Sequence, residues 1–361
     1  METRQILVYA GEGSSHSWTW LADLFESARI TDVRFLSAQD FVEHSKDPTS
    51  IIVVSGGDGF QIAHALSGRG FTRLREFVNH GGQYVGVCAG AYLPLPSSLE
   101  PFNEFNVSTT RIENIAWKKT RGSQSPRLAV PYGDCSIVHP VRGEVRLSTS
   151  WGDIIAPIFG GPVFKEPQGD ETLLRYSGFT GATEFQIAPE AAAAMVLGKP
   201  AAVRCRHGLG ELVLLGPHLE HPSYPAANRL FLSLIGRPEG ASISGASQLP
   251  TASNAELSHA VSDLKVAVLG LENRSFLVGN KLWDGSRFLE LIKAIEKRCT
   301  SLDDGVSSRV AALLWHVRDE ILQAKDEPLD YADDGPGLLV EAARLAVDGH
   351  FQALRQERMD L

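Results

Sequence analysis

An uninterrupted apolar run, Ile51-Ile52-Val53-Val54, is the feature that most constrains the fold. Such a run is typical of a strand that is covered on both faces. Around it, short β-branched runs alternate with amphipathic segments such as Ser17–Ala28 and Gly59–Asn79. This alternation favours right-handed crossovers between parallel strands with helices packed on the sheet. We therefore predict an α/β fold built on a doubly wound, mostly parallel sheet.

The predicted strands share β-branched and apolar composition and short length. They are Gln5–Tyr9, Val33–Leu36, Ile51–Ser55, Gln83–Val87, Glu144–Ser148, Leu173–Tyr176, Ala201–Cys205 and Glu211–Leu215. The last two flank Gly208-Leu209-Gly210, so the stretch Arg204–Leu215 predicts an antiparallel hairpin at the far side of the sheet.

The pattern changes beyond residue 237, where Pro, Gly, Ser, Ala and Thr indicate a linker. After it, apolar residues from Val306 to Ile321 recur at helical spacing. Asp284 is a candidate helix cap, and Leu338–Arg358 is another candidate helix. We predict an α/β domain over residues 1–238, a linker over 239–255 and a small all-helical domain over 256–361.

Charge and cysteine content exclude several classes of protein. The 34 Lys and Arg against 43 Asp and Glu give a net charge of −9 with no basic cluster, so we expect neither a nucleic-acid nor a membrane partner. The chain has no apolar run of membrane-spanning length and no secretory-signal pattern at its start. Its four cysteines form no C-x-x-C pair, which argues against a zinc site and a disulfide framework. We therefore expect a cytoplasmic protein without a metal or cofactor.

Cys88 directly follows the predicted strand Gln83–Val87 and lies among small residues, in Gly86-Val87-Cys88-Ala89-Gly90. A nucleophile on a sharp strand-to-helix turn needs such neighbours because the backbone is crowded there. The turn would direct the sulfur towards the carboxyl ends of the strands and place it near a helix N-terminus, which favours the thiolate. A buried cysteine that only fills space is the alternative.

A base and its orienting group are available after the strand Glu211–Leu215. His218 and Glu220 are two residues apart and can point the same way in an extended segment. His221 also neighbours Glu220 and is a competing candidate for the base. The glycines of Ser55-Gly56-Gly57-Asp58-Gly59 follow another strand, and together with the N–H of Ala89 they could form an oxyanion hole.

Together these motifs resemble the class I glutamine amidotransferase fold, which is flavodoxin-like. The closer resemblance is to the amidotransferase-like N-terminal domain of eukaryotic-type biotin–protein ligases and its stand-alone relatives. It rests on Val8–Gly13, Ser55–Asp58, Gly81–Tyr92 and Gly216–Glu220, with Gly160-Gly161-Pro162 as a further glycine loop. The resemblance covers about residues 4–236. The ligase half is not seen, so we expect no biotinylation.

The resemblance implies Cys88 as nucleophile, His218 as base and Glu220 as the residue that orients it. It implies an oxyanion and substrate-binding set of Gly57, Asp58, Ala89, Gly90, Tyr92 and Gly161. The implied reaction is thiolate attack on a carboxamide or ester carbonyl through a thioester. Glutamine-using members carry a Gln-His-type pair soon after the nucleophile elbow, the turn that here holds Cys88. This chain has Ala89-Gly90-Ala91-Tyr92 there, which argues against glutamine and leaves the substrate open.

Two function classes remain. The first is a thiol-dependent hydrolase or amidotransferase-like enzyme that acts on a small molecule or peptide. The second is a non-catalytic binding module that docks a protein partner or a second copy through its C-terminal helices. A nucleotide site is a weaker candidate, since Gly11-Glu12-Gly13-Ser14-Ser15-His16 lacks the third glycine of the dinucleotide fingerprint.

Overall fold

The computed structural model describes most of the chain. The described residues are 4–113, 130–132, 135–137, 139–237, 254–271, 275–278, 281–323 and 335–360. Most of the predicted linker, residues 239–253, lies outside these ranges. In the described part, no helix combines the length and the apolar character needed to cross a lipid bilayer.

Strands and helices alternate through the first half of the chain, and helices dominate the end. The strands are β1 (Ile6–Tyr9), β2 (Val33–Leu36), β3 (Ile51–Val54), β4 (Gln83–Val87), β5 (Val130–Tyr132), β6 (Cys135–Ile137), β7 (Val141–Thr149), β8 (Gly152–Ile158), β9 (Glu171–Phe185), β10 (Pro200–His207), β11 (Gly210–Leu215), β12 (Ser275–Val278) and β13 (Lys281–Asp284). The helices are α1 (Trp18–Ser27), α2 (Ala38–His44), α3 (Gly59–Asn79), α4 (Ala89–Tyr92), α5 (Pro189–Val196), α6 (Pro225–Leu234), α7 (Ala255–Leu269), α8 (Gly285–Glu296), α9 (Asp304–Gln323) and α10 (Gly335–Asp360). The predicted α/β class with a helical C-terminal region is confirmed.

The chain forms two compact units, one of residues 1–44 and 241–361 and one of residues 45–240. The predicted domain boundaries at 238 and 256 stay a prediction. In the first unit, β1 and β2 pair in parallel, from Ile6 opposite Val33 to Tyr9 opposite Leu36. Helix α10 packs on β2, and the rings of Phe35 and Phe351 lie 5.3 Å apart. The helical tail and the N-terminal strands thus share one core.

A buried guanidinium joins α1 to the segment that follows α8 in this unit. The side chain of Arg298 is fully buried and donates to Asp23 (2.8 Å) and Glu26 (2.7 Å). Lys297 contacts the same two carboxylates at 2.9 and 3.1 Å, but its side chain is 48% exposed. The two cations therefore share their partners and differ in hydration.

The second unit holds seven strands in the order β3-β4-β11-β10-β9-β7-β8. β3, β4 and β11 run parallel, and the remaining neighbours pair antiparallel. The sheet is therefore mixed. The predicted parallel strands lie on one side, and antiparallel strands lie on the other; apart from the hairpin, their antiparallel direction was not predicted. β3 and β4 are buried along their whole length, as their apolar sequences require.

The predicted antiparallel hairpin is confirmed as β10 and β11, which pair from Ala202 opposite Leu215 to His207 opposite Gly210. Its predicted place at the far side of the sheet is wrong, because β9, β7 and β8 lie beyond it in the strand order. Gly208 at its turn has a φ of 58°, a conformation that glycine adopts without strain. β8 was not predicted, because Pro157 interrupts its apolar run. It lies at the end of the strand order, where a residue without an N–H is tolerated.

The shared carboxylates of Arg298 and Lys297 give a paired prediction. Arg298→Ala should lower the free energy of unfolding by about 2–3 kcal/mol, because a fully buried guanidinium and its packing are lost. Lys297→Ala should cost less than about 1 kcal/mol, since a hydrated ion pair contributes little. Urea unfolding followed by circular dichroism measures both values. Equal losses in the two variants would contradict the role of burial.

Candidate active site

Cys88 sits on a strained turn between β4 and α4. Its φ is 52° and its ψ is −109°, a backbone conformation that residues other than glycine rarely adopt. Its N–H donates to the carbonyl of Leu215 at 2.9 Å, which ties the turn to the end of β11. The residue is 8% exposed, so it is largely enclosed.

The glycines on either side of Cys88 are required by close backbone contacts. A Cβ on Gly90 would lie 2.0 Å from the carbonyl oxygen of Val54, and one on Gly86 would lie 2.5 Å from that of Gly90. The N–H of Gly90 donates to the carbonyl of Ser55 at 3.2 Å. The small residues around the cysteine therefore let the ends of β3 and β4 meet.

His218 and Glu220 follow β11 and are almost completely buried, at 2% and 0% exposure. The Nδ1 of His218 lies 2.8 Å from Oε1 of Glu220. Because a carboxylate only accepts hydrogen bonds, Nδ1 carries a proton and Nε2 is left for another partner. The same Oε1 accepts from the hydroxyl of Ser55 at 3.1 Å, and the N–H of His218 donates to the carbonyl of Pro157 at 2.8 Å.

The imidazole of His218 also hydrogen-bonds the side chain of Cys88, so the structure brings the three predicted residues together. Burial alone would lower the pKa of His218, but the charges of Glu220 and of the Cys88 thiolate, with the two hydrogen bonds, raise it to about 10. The ring of Phe159 covers the imidazole, with the ring centres 5.5 Å apart. The arrangement favours an imidazolium beside the sulfur at neutral pH.

His221, the competing base, takes a different environment. Its Nδ1 accepts from the N–H of Ser223 at 3.2 Å, and its ring packs against Tyr224 at 5.2 Å between ring centres. The structure thus pairs Glu220 with His218.

The helix expected to favour a thiolate is a single turn of four residues, Ala89–Tyr92. Its dipole is correspondingly small, because the macrodipole sums over aligned peptide units. Two cationic groups among the described residues, His218 and Arg142, interact with the charge of Cys88.

The predicted binding residues lie on the turns at these strand ends. Asp58 caps α3 by accepting from the N–H groups of Phe60 and Gln61 at 3.0 and 3.4 Å, and Gly57 is buried just before it. Ala89 begins α4, so its N–H lies outside the hydrogen bonds within that helix. Contact of these residues with a substrate stays a prediction.

Gly161 and Tyr92 connect the loop after β8 to this region. A Cβ on Gly161 would lie 1.8 Å from the carbonyl oxygen of Gly216, so only glycine fits against the segment that leads to His218. The hydroxyl of Tyr92 donates to the carbonyl of Gly160 at 3.2 Å. Direct contact of Gly161 and Tyr92 with a substrate also stays a prediction.

Arg142 is a residue of this region that sequence reasoning missed. Burial lowers the pKa of Arg142, while the charges of Cys88 and Glu184 act in the opposite direction. The predicted strand began only at Glu144, whereas β7 begins at Val141. The alternation of Val141, Gly143, Val145 and Leu147 with polar residues was the signal that could have extended the strand.

The other described thiols differ from Cys88. Burial raises the pKa of Cys205 to about 12, and its sulfur lies 3.4 Å from the hydroxyl of Ser108. Burial also raises the pKa of the half-buried Cys299. All three cysteines are free, and the described residues contain no group of three metal-ligating side chains. The side chain of Cys135 lies outside the described residues.

Two of the solved structures that resemble this chain do so with low TM-scores. A β-galactosidase from Bacillus circulans sp. alkalophilus is 12% identical, with a TM-score of 0.35, over 65% of this chain and 32% of its own. A ThuA-like protein from Bacteroides uniformis ATCC 8492 is 12% identical, with a TM-score of 0.36, over 65% of this chain and 89% of its own. The chain spans about a third of the β-galactosidase. At these TM-scores neither likeness bears on fold or function.

Sequence comparison is more informative. An uncharacterized protein of Chlamydia muridarum (strain MoPn / Nigg) is 27% identical over 235 residues, which are 61% of this chain and 82% of the relative. Residues 4–112 match the family model described as the N-terminal region of biotin–protein ligase, and this range includes β4 and Cys88. Residues 4–112 therefore form a segment like the N-terminal domain of biotin–protein ligases, which confirms the predicted resemblance over that range.

Proposed function

We propose that the chain is a cysteine-dependent amidase or amidotransferase-like enzyme with a class I amidotransferase-like, flavodoxin-like core. The observation that carries the proposal is the hydrogen-bonded series from Cys88 through His218 to the buried carboxylate of Glu220. A nucleophile, a base and a group that orients the base are the parts that acyl transfer by a thiol requires.

In the first half of the reaction, the Cys88 thiolate attacks the carbonyl carbon of an amide or ester. A C–S bond forms, and the carbonyl oxygen takes the negative charge. The N–H groups of Ala89 and Gly57 are the candidate donors to that oxygen, as in an oxyanion hole. The C–N or C–O bond then breaks, and the His218 imidazolium gives its proton to the leaving amine or alcohol.

In the second half, water or another acceptor attacks the thioester and the C–S bond breaks. Acylation removes the thiolate charge, which is one of the causes that raise the pKa of His218. The pKa of His218 therefore falls once the thioester has formed, so the imidazole stays neutral after it protonates the leaving group and can take the proton of the attacking water. Glu220 holds Nδ1 in place through both halves.

The substrate class we propose is a small molecule or a peptide that bears a reactive carbonyl. The residues that follow Cys88, Ala89-Gly90-Ala91-Tyr92, lack the Gln-His-type pair of glutamine-using amidotransferases, so we do not propose glutamine as the substrate. The described cysteines are free, which supports a reducing compartment such as the cytoplasm.

A non-catalytic binding module is the second candidate. It is supported by large apolar side chains exposed on the C-terminal helices: Val266 and Leu269 on α7, Leu322 on α9 and Met359 on α10. Such side chains are available to a protein partner or a second copy. The alkylation rate of Cys88 distinguishes the two candidates, because only the enzyme requires a reactive thiolate.

The first prediction concerns that reactivity. Cys88 should react with iodoacetamide at least about tenfold faster than Cys299 at neutral pH, because the imidazolium of His218 stabilises the reactive thiolate. His218→Gln should lower the Cys88 rate about tenfold or more. Quantitative mass spectrometry of the alkylated peptides measures both rates.

The matched control is His221→Gln, which removes the neighbouring imidazole whose Nδ1 accepts from the backbone of Ser223. It should leave the Cys88 rate within about twofold of the wild type, since Glu220 pairs with His218. A Cys88 that reacts no faster than Cys299 would overturn the enzyme and favour the binding module.

The second prediction concerns pH. The pKa of His218 is raised to about 10, so the imidazolium charge persists through the neutral range and is lost only as the pH rises through that value. Between pH 6.5 and 8.5 the alkylation rate of wild-type Cys88 should change by less than about threefold. In His218→Gln the rate should rise steeply with pH, up to about tenfold per unit, as for an ordinary thiol. Parallel profiles in the two proteins would be inconsistent with the ion pair.

A further inference from the structure

Arg142 lies on β7. The neighbouring strand, β8, accepts the hydrogen bond from the backbone N–H of His218. In the sheet register, Arg142 faces Glu184 on β9, and the following residue, Gly143, faces Ile158 on β8. The residues on either side of Ile158 both contact His218: the carbonyl of Pro157 accepts from its N–H, and the ring of Phe159 covers its imidazole. β7 and β8 therefore bring Arg142 to the part of the sheet that positions the base.

Glu144, two residues after Arg142 on β7, contacts the segment that follows His218. Gly143, between Arg142 and Glu144, has a φ of 77° and lies at a bulge in the pairing of β7 with β9. Oε1 of Glu144 accepts from the hydroxyl of Tyr224 at 3.1 Å, and Tyr224 precedes α6, four residues after Glu220. β7 thus meets the segment that carries the base within two residues of Arg142.

Nothing in the described part of the chain satisfies the buried part of this guanidinium. Its Nε is buried and has no hydrogen-bond acceptor among the described residues. Glu184, its neighbour across the ladder, is exposed and interacts through charge alone. A half-buried cation with an open donor, within the electrostatic reach of Cys88, is suited to an anionic ligand.

We propose that Arg142 binds a carboxylate group of the substrate whose carbonyl is attacked by Cys88. The planar guanidinium presents parallel N–H donors that match the two oxygens of a carboxylate, which an ammonium does not. The substrate is then an amide or ester that also carries a carboxylate. This assignment rests on the proposed function, and Arg142 is the residue that determines which substrate binds.

The experiment compares two alkylating agents of nearly equal size, the neutral iodoacetamide and the anionic iodoacetate. In both reactions the sulfur of Cys88 forms a C–S bond to the CH₂ carbon and iodide leaves. The readout is the ratio of the iodoacetate rate to the iodoacetamide rate, which cancels changes in the nucleophilicity of the thiol. At Cys88 in the wild type this ratio should exceed, at least about tenfold, the ratio in the urea-unfolded protein.

Arg142→Gln should bring the ratio down to that of the unfolded protein, and Arg142→Lys should give an intermediate ratio because it keeps the charge without the fork. The matched control is Arg146→Gln, which removes an exposed arginine from the same strand and should leave the ratio unchanged. A second measurement needs no variant: succinate should slow iodoacetamide labelling of wild-type Cys88 more than sodium chloride at equal ionic strength.

The outcomes separate the two proposals. If iodoacetamide labels Cys88 rapidly but the ratio is the same in wild type and Arg142→Gln, and succinate does not protect, then Arg142 does not bind a carboxylate and the enzyme proposal stands. If Cys88 reacts with iodoacetamide no faster than Cys299, the proposed function fails and the substrate assignment fails with it.

Discussion

The hydrogen bonds of the buried Glu220 carboxylate are the interactions on which the rest of the site depends. This carboxylate binds the hydroxyl of Ser55 beyond β3 and the imidazole of His218 beyond β11, and through that imidazole it is linked to Cys88 at the end of β4. The ends of three neighbouring parallel strands are thereby joined by side chains as well as by the sheet. A buried carboxylate must be compensated by hydrogen bonds or charge, and here the compensation comes from groups suited to catalysis.

Close backbone contacts between these strand ends explain the glycines around the cysteine. Gly86 and Gly90 are fixed by backbone contacts that would exist whether or not Cys88 reacts. The pattern G-x-C-x-G in the sequence therefore reports the architecture of the turn first. Cys88 and Cys205 differ in their surroundings. Cys88 lies beside an imidazole that is bound to a carboxylate, whereas the buried sulfur of Cys205 lies beside the hydroxyl of Ser108.

Much of the fold could be predicted because its signals are local. β2, β4 and α3 were predicted at the residues where they are found, and the turn around Gly208 identified the hairpin. The missed features depend on distant partners. Pro157 hid an edge strand, and the contact between Phe35 and Phe351 joins segments with no shared local pattern. Arg142 was missed because the predicted strand began at Glu144, and because its charge interactions are with Cys88 and Glu184, which are distant in sequence.

The edge position of β8 has a dynamic consequence. The backbone of His218 is held by the carbonyl of Pro157, and β8 has a neighbour on one side only in the described sheet. Edge strands fray more readily than central ones, and local opening there needs far less free energy than global unfolding. The backbone of His218 is thus anchored to an edge strand, while that of Cys88 is anchored to β11 in the interior of the sheet. Amide hydrogen exchange in β8 would then report the local opening that separates the imidazole of His218 from the sulfur of Cys88.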